Sequence, residues 1–397
     1  MNNINYQEVF RDFIRRFNSY WKNIPIIDRW LLGELLPPLF FAIAAFTVVS
    51  LSVGVMFDLV RKIVEAGLSP QIALEVLILR LPSFLVISFP MAMLMATLLA
   101  YGRLSSNSEL KALRSLGIST MRIIAPALVL SLFMTGITFI FNDSIVPRAN
   151  LNAELILNRS IGKAIATEIG EDIIYSRKGT IKDFQDDKLR EGLTHLFYAW
   201  KFSNDKMQEI TMVDFSRYGY TQLVLAKQAS WDDREGKWDF RNGRIITISP
   251  DGTSSNAAFK RYLYPLGQGP LRIAELPKDA NDMTVFQALK AEALYKNSGN
   301  IKEARRMQVR IQEKFTLPMA CIVFGLIGSS LGAKPNNRTS SSQGFGLSVV
   351  LILFYYVLSF TFSSLGVKGT LTPFLAAWLP VFISIFGGSV LLSQSSK

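Results

Sequence analysis

The chain has 397 residues and a net charge of +12, with 43 lysines and arginines against 31 acids. Its 49% hydrophobic content would suit a soluble protein, but the apolar residues collect at the two ends around a polar middle third, and mean hydropathy is +0.25. A basic balance in a soluble chain points to nucleic acid, yet no RNA-recognition, zinc-finger or basic-arm pattern occurs, so the charge is assigned to membrane topology and anionic head groups.

Residues 1–34 read as a leader, with Arg11, Arg15, Arg16, Lys22 and Arg29 against Glu8, Asp12, Asp28 and Glu34. Within it, residues 10–20 are expected to form an amphipathic surface helix. No cleavable signal peptide is visible, because the first apolar run follows this mixed leader and is long enough to span. That run, residues 35–57, is the first span, with Pro37 and Pro38 at its start, where a missing N–H costs little. Asp58, Arg61 and Lys62 follow it. A turn at Gly67-Leu-Ser-Pro70 leads to a second helix from about Leu74. Its uncharged part, residues 81–100, is the second span, with kinks expected at Pro82 and Pro90.

A short polar stretch, Ser105 to Ser119, separates this run from a third span at residues 121–141. Each apolar run is close to the ~20 residues that cross a bilayer core, so the stretch between them is a loop returning the chain to one membrane face. Ser106 and Glu109 have capping-box spacing, which predicts a small helix from this point. Gly117 is placed to end it in the left-handed conformation. Leu110, Leu113 and Leu116 fall three apart along one side, with Lys111 and Arg114 off that stripe. Such a helix suits docking into a partner's groove; equally, it suits lying flat at the lipid interface.

From Asn142 to about Pro277 the pattern changes to short β-like runs at 172–175, 193–202, 209–215 and 223–226. The clearest hairpin signal lies in residues 237–249, where Asn242-Gly243 reads as a type I′ turn between alternating strands. Several short strands predict a β-sandwich or jelly roll. Residues 282–312 are helical and charged, with Arg305, Arg306 and Arg310 before a fourth span at 315–331. A polar loop at 334–344 precedes a fifth span at 345–365 and a sixth at 371–392. The expected fold is thus a six-span α-helical membrane protein with an inserted all-β domain. Its parts are a leader (1–34), spans one to three with the loop helix at 105–118 (35–141), the β domain (142–280), and a linking helix with spans four to six (281–397).

Basic residues set the orientation. The leader, Arg103, Lys111, Arg114, Arg122, Lys334 and Arg338 fall on one face, against Arg61, Lys62, Arg80 and Lys368 on the other. Both termini are then expected in the cytoplasm and the β domain outside it. Cys321 is the only cysteine and lies in an apolar span, so no intrachain disulfide is possible.

With this organisation the chain resembles the lipopolysaccharide-export permease family of the LptF/LptG type. The residues that carry the resemblance are Ser108-Glu-Leu-Lys-Ala-Leu-Arg-Ser-Leu-Gly-Ile-Ser119 and Asn142-Asp-Ser-Ile-Val-Pro-Arg-Ala-Asn150. They continue with Ala226-Lys-Gln-Ala-Ser-Trp231, Trp238-Asp-Phe-Arg-Asn-Gly243, Lys314-Phe-Thr-Leu-Pro318, Tyr355-Tyr356 and Ala376-Ala-Trp-Leu-Pro380. The resemblance implies the membrane half of an ABC exporter in the bacterial inner membrane. Two permease subunits, paired with self or a paralogue, would sit on two copies of a cytoplasmic ATPase that holds the ATP and magnesium. The cargo would be lipopolysaccharide. The β domain would be a periplasmic jelly roll joined to bridge proteins of the LptC/LptA type.

The resemblance makes the loop helix the coupling helix, with Glu109, Leu110, Leu113, Arg114 and Leu116 as the ATPase-coupling residues. Glu109 reads either as a cap or as a contact with a basic group on the ATPase. Arg61 and Lys62 are candidates to face lipid phosphates; the plain alternative is snorkelling at a span end. Tyr355, Tyr356 and Ser359 of span five are further lipid-binding candidates, or ordinary packing. No cofactor is expected in this chain: Gly328-Ser-Ser-Leu-Gly-Ala-Lys334 has the wrong spacing and setting for a phosphate loop. His195, the single histidine, has no nearby cysteine and reads as a surface or core residue. Rival readings are a permease for another envelope lipid, or a membrane sensor or scaffold with a ligand-binding β domain. A secondary transporter is disfavoured by the scarcity of acids in the spans.

Overall fold

The computed structural model describes residues 25–160, 171–182, 189–203, 206–274, 280–334 and 341–395. Among them are six helices long and apolar enough to cross a membrane, three on each side of one antiparallel sheet. The first rod comprises α1 (Ile26–Leu51), a π-turn at Ser52–Met56 and α2 (Phe57–Ala66). It starts well before Leu35, so Asp28, Arg29 and Glu34 belong to its first turns and Pro37 and Pro38 lie inside it rather than at its start. The early start has a physical basis. Asp28 complements the positive helix N-terminus, and both acids are paired, Asp28 with Arg122 and Glu34 with Arg103. The expected surface helix at 10–20 lies outside the described residues.

Next come α3 (Pro70–Ser106), the short α4 (Glu109–Ser115) and α5 (Thr120–Ile140). A π-turn at Phe141–Ile145 continues into α6 (Val146–Ser160), carrying the third rod past the expected end of its span. The π-turn is stabilised from outside. Val146 N–H bonds the Phe141 carbonyl, and Pro147 has no N–H, so the Asn142 carbonyl lacks its helical donor. The Lys314 ammonium, buried on the fourth long helix, donates to that carbonyl at 3.2 Å. Asn142 Nδ2 returns a bond to the Lys314 carbonyl at 3.4 Å.

Six strands follow: β1 (Glu171–Lys182), β2 (Leu189–Ser203), β3 (Lys206–Asp214), β4 (Thr221–Asp232), β5 (Lys237–Ile248) and β6 (Ser254–Tyr264). They pair in consecutive order, each antiparallel to the next. The insertion is all-β, as expected. Its likeness to a jelly roll lies in the curled sheet and not in Greek-key strand order. Phe197 of β2 and Trp238 of β5 are not on neighbouring strands, yet their rings lie 5.6 Å apart, because the sheet curls over a core of Phe197, Phe202, Trp238 and Phe240.

The Asn242-Gly243 pair is not a hairpin turn; it lies within β5. Gly243 pairs with Ala226 on one side and Phe259 on the other. A Cβ there would stand 2.1 Å from the Leu225 carbonyl oxygen. The glycine therefore serves close backbone approach in a strand interior, and Asn242 adopts φ 53° beside it. The β4–β5 turn is instead at residues 233–236, where Gly236 has φ 64°.

Two short helices, α7 (Gly269–Ala274) and α8 (Val285–Asn297), lead back to the membrane. Tyr295 of α8 packs on the sheet core. The last three long helices are α9 (Ile301–Gly332), α10 (Ser341–Lys368) and α11 (Pro373–Ser395). α9 is central and packs against α3, α5 and α11. Gly328 and Gly332 let it approach α3 closely: added Cβ atoms would meet Thr97 Oγ1 at 2.1 Å and Tyr101 Cβ at 2.7 Å. α1 and α10 also flank α3. They expose apolar rows, Phe40, Phe41 and Val48 on α1 and Leu353, Phe354 and Val357 on α10.

Candidate coupling helix and lipid-facing helices

α4 starts at Glu109 and not at Ser106, because the hydrogen-bond ladder of α3 runs on through Ser106. The expected capping box is therefore absent. The Ser106 hydroxyl donates to the Arg103 carbonyl at 2.9 Å, and the Glu109 carboxylate accepts from Asn107 Nδ2 at 3.0 Å. Glu109 keeps its place in the first turn, where a negative charge meets the helix N-terminus favourably. The chain reverses through Ser108 at φ 63°. At the other end Gly117 takes φ 86°. Ile118 N–H bonds the Leu113 carbonyl at 3.2 Å and Gly117 N–H the Arg114 carbonyl at 2.9 Å. These two bonds form a Schellman cap.

The three leucines do not make one exposed ridge. Positions three apart drift by about 60° per step around an α-helix. Leu110 is 2% exposed and packs in the core with α1, α3 and α5; Leu113 packs at its edge; Leu116 is 77% exposed. The outward surface of α4 is thus Lys111, Ala112, Ser115 and Leu116, with Glu109 at its edge.

Arg114 turns inward. Its Nη2 donates to the Ala333 carbonyl at the end of α9 at 2.6 Å, and burial lowers the guanidinium's pKa from its ordinary value. The Ser105 hydroxyl donates to the neighbouring Lys334 carbonyl at 2.8 Å. Two other basic residues of this face are engaged as well. Arg122 grips Asp28 through two bonds of 2.6 and 2.8 Å, the bidentate geometry that suits a guanidinium, and Arg103 pairs with Glu34. Sequence reasoning placed these charges on one face but missed their partners, which stand some 70 to 220 positions away in the chain.

The lipid-binding candidates fall at separate places. Arg61 and Lys62 lie on α2, each paired one turn away on the same helix: Arg61 Nε with Glu65 at 2.9 Å and Lys62 Nζ with Asp58 at 2.6 Å. Exposed pairs of this kind are worth ~0–1 kcal/mol, so a phosphate can displace the acids at little cost. Tyr355 is buried on α10, its ring 4.9 Å from Phe324 of α9. The Tyr356 hydroxyl donates to the Ile87 carbonyl of α3 at 3.4 Å. Ser359 is half-buried one turn further on. The tyrosines thus fasten α10 to α9 and α3, and the groups most open to lipid on this helix are apolar.

In the β domain, His195 Nε2 lies 2.7 Å from the Tyr264 hydroxyl, which in turn donates to Asp214. The other ring nitrogen is buried without a hydrogen-bond partner. The histidine is a half-buried structural residue on the sheet. Its partners come from β3 and β6 and carry no local sequence signal.

Three membrane-length helices, an extramembrane β-sheet and three more such helices define a polytopic membrane protein with its soluble domain inserted at the midpoint. The family model described as lipopolysaccharide export system permease LptF/LptG matches residues 29–394, and the chain belongs to that family. The lipopolysaccharide export system permease protein LptG of Haemophilus influenzae is 25% identical over 232 residues, which is 57% of this chain. The match spans 60% of that relative's length.

Proposed function

We propose that this chain is the permease subunit of an ABC exporter that draws lipopolysaccharide out of the bacterial inner membrane. It works beside a second permease subunit, a paralogue or another copy of itself. A separate cytoplasmic ATPase dimer binds and hydrolyses ATP with magnesium. Both termini and α4 face the cytoplasm, and the β domain faces the periplasm. There it hands the lipid to bridge proteins of the LptC/LptA type.

Family membership supports the cargo and the transport role. The observation that carries the mechanism is α4 itself. It is a seven-residue helix, far below the ~12–15 residues needed for stability alone. It is held by Leu110 in the helix core, and it presents Leu116 outward. An exposed leucine on the same outward surface as Lys111, with Glu109 at the far end of the helix, has the composition of a docking knob.

The test is Leu116→Asp in a permease co-expressed with its ATPase. Burial of a leucine at a contact is worth ~1.5–3 kcal/mol, so co-purified ATPase per permease is expected to fall about tenfold or more. ATPase bound at wild-type stoichiometry, with normal lipid release per ATP, would remove α4 from the coupling role.

A further inference from the structure

α4 is joined to the bundle by two left-handed residues, Ser108 at φ 63° and Gly117 at φ 86°. Leu110 anchors the segment between them from one side, since it sits in the core. The contact that reaches sideways is Arg114, whose guanidinium lies on the Ala333 carbonyl at 2.6 Å. That carbonyl belongs to the residue capping α9, where the helix end carries partial negative charge and favours a cation. The adjacent Lys334 carbonyl is already taken by Ser105 of α3. The end of α9 is therefore held by two side chains, one from α3 and one from α4. Arg114 Nε is buried without a hydrogen-bond partner, which places this part of the side chain against protein rather than toward a docking surface.

We infer that Arg114 is a positioning residue that fastens the coupling helix to the end of α9, so that a displacement of α4 moves α9. This rests on the reading of α4 as the ATPase-docking element. It assigns Arg114 a different task from Leu116: Leu116 holds the ATPase, and Arg114 passes its motion on. α9 is the helix to receive it, because it packs against α3, α5 and α11 and carries Lys314 on the π-turn of the third rod.

The experiment uses the full chain with its ATPase, in vesicles containing lipopolysaccharide, comparing Arg114→Ala, Arg114→Lys and Leu116→Asp. Arg114→Ala is expected to keep ATPase co-purification and ATP hydrolysis near wild type. Lipopolysaccharide released per ATP should fall about tenfold, the equivalent of one lost hydrogen bond from a charged group. Arg114→Lys should restore part of it, since an ammonium can still donate to the Ala333 carbonyl. A second measurement needs no ATPase: spin labels on Ala112→Cys and Lys334→Cys, in a Cys321→Ser background. One narrow distance is expected with Arg114 and a broadened distribution with Arg114→Ala.

Loss of co-purified ATPase in Arg114→Ala would make Arg114 a docking contact and overturn the inference. So would an unchanged distance distribution together with unchanged lipid release per ATP. If Leu116→Asp retains its ATPase, the docking reading fails instead, and the spin-label distances still decide the tie.

Discussion

Gly117 has space for a side chain but not the backbone for one. No heavy atom lies within 4 Å of a Cβ placed there, yet its φ is 86°. Gly117→Ala should therefore cost about 1 kcal/mol through backbone conformation alone, seen as a lower Tm of the purified chain. Gly243 is limited by space. Its Cβ would overlap the Leu225 carbonyl and the Phe259 ring, so Gly243→Ala should destabilise the β domain by about 3 kcal/mol, read as early loss of β-sheet circular dichroism on heating. His195 makes stability depend on pH. Burial lowers its pKa; Asp214 opposes this and Arg177 adds to it, leaving the value below the ordinary one. The unfolded chain then takes the proton first, so this contribution is complete above about pH 6.5 and is lost as pH falls toward the folded value. Asp214 acts in the same direction further down. Burial would raise its pKa, but hydrogen bonds from Ser216 and Tyr264 outweigh this and hold it low, so its share is lost as pH falls below about 4. Melting between pH 7.5 and 5 should show a falling Tm, and His195→Gln, which can still donate to Tyr264, should flatten that slope. An equal slope in the variant would assign the effect elsewhere.

Among the elements, α4 should separate stability from the docking proposed for it. Leu110→Ala should cost ~2–5 kcal/mol as a core truncation, whereas Leu116→Asp should leave Tm unchanged and affect only what binds outside. Equal losses of Tm from both would mean that Leu116 is also packed. On α2, Asp58 and Glu65 compete with any lipid phosphate for Lys62 and Arg61. Replacing both acids by their amides should increase the anionic lipid retained on purification, and no increase would return the cations to snorkelling. The helices were legible in the sequence because a bilayer demands long uncharged runs, and these stand out against the polar middle. Their ends were less so. Asp28 and Glu34 look like signs of an aqueous leader until Arg122 and Arg103, distant in sequence, pair with them. The left-handed stop at Gly117 was readable because a glycine after a short helix is a local signal. The start of α4 was misplaced because nothing local shows α3 running on through Ser106. Asn242-Gly243 misled for a related reason: the pair that favours a tight turn also suits a strand crossed closely by its neighbours. Strand β6 was missed, since Ser254 to Tyr264 is mostly exposed and lacks clear alternation.

For the whole molecule, the β domain and the returning helices share a core, since Tyr295 of α8 packs on the sheet and the Ser176 hydroxyl donates to the Ser298 carbonyl. A fragment of residues 171–300 is therefore expected to fold and to melt at a higher temperature than one ending at Leu276; equal melting of the two would detach α8 from the domain. On the membrane side, the close approach of α9 to α3 restricts where a lipid can travel. At Gly328 and Gly332 the gap between the helices does not admit a methyl group, so it cannot admit an acyl chain, which is wider. That seam is a closed wall, and under the export role proposed above a hydrocarbon tail is expected to take a path outside it, along the exposed phenylalanines of α1 and α10.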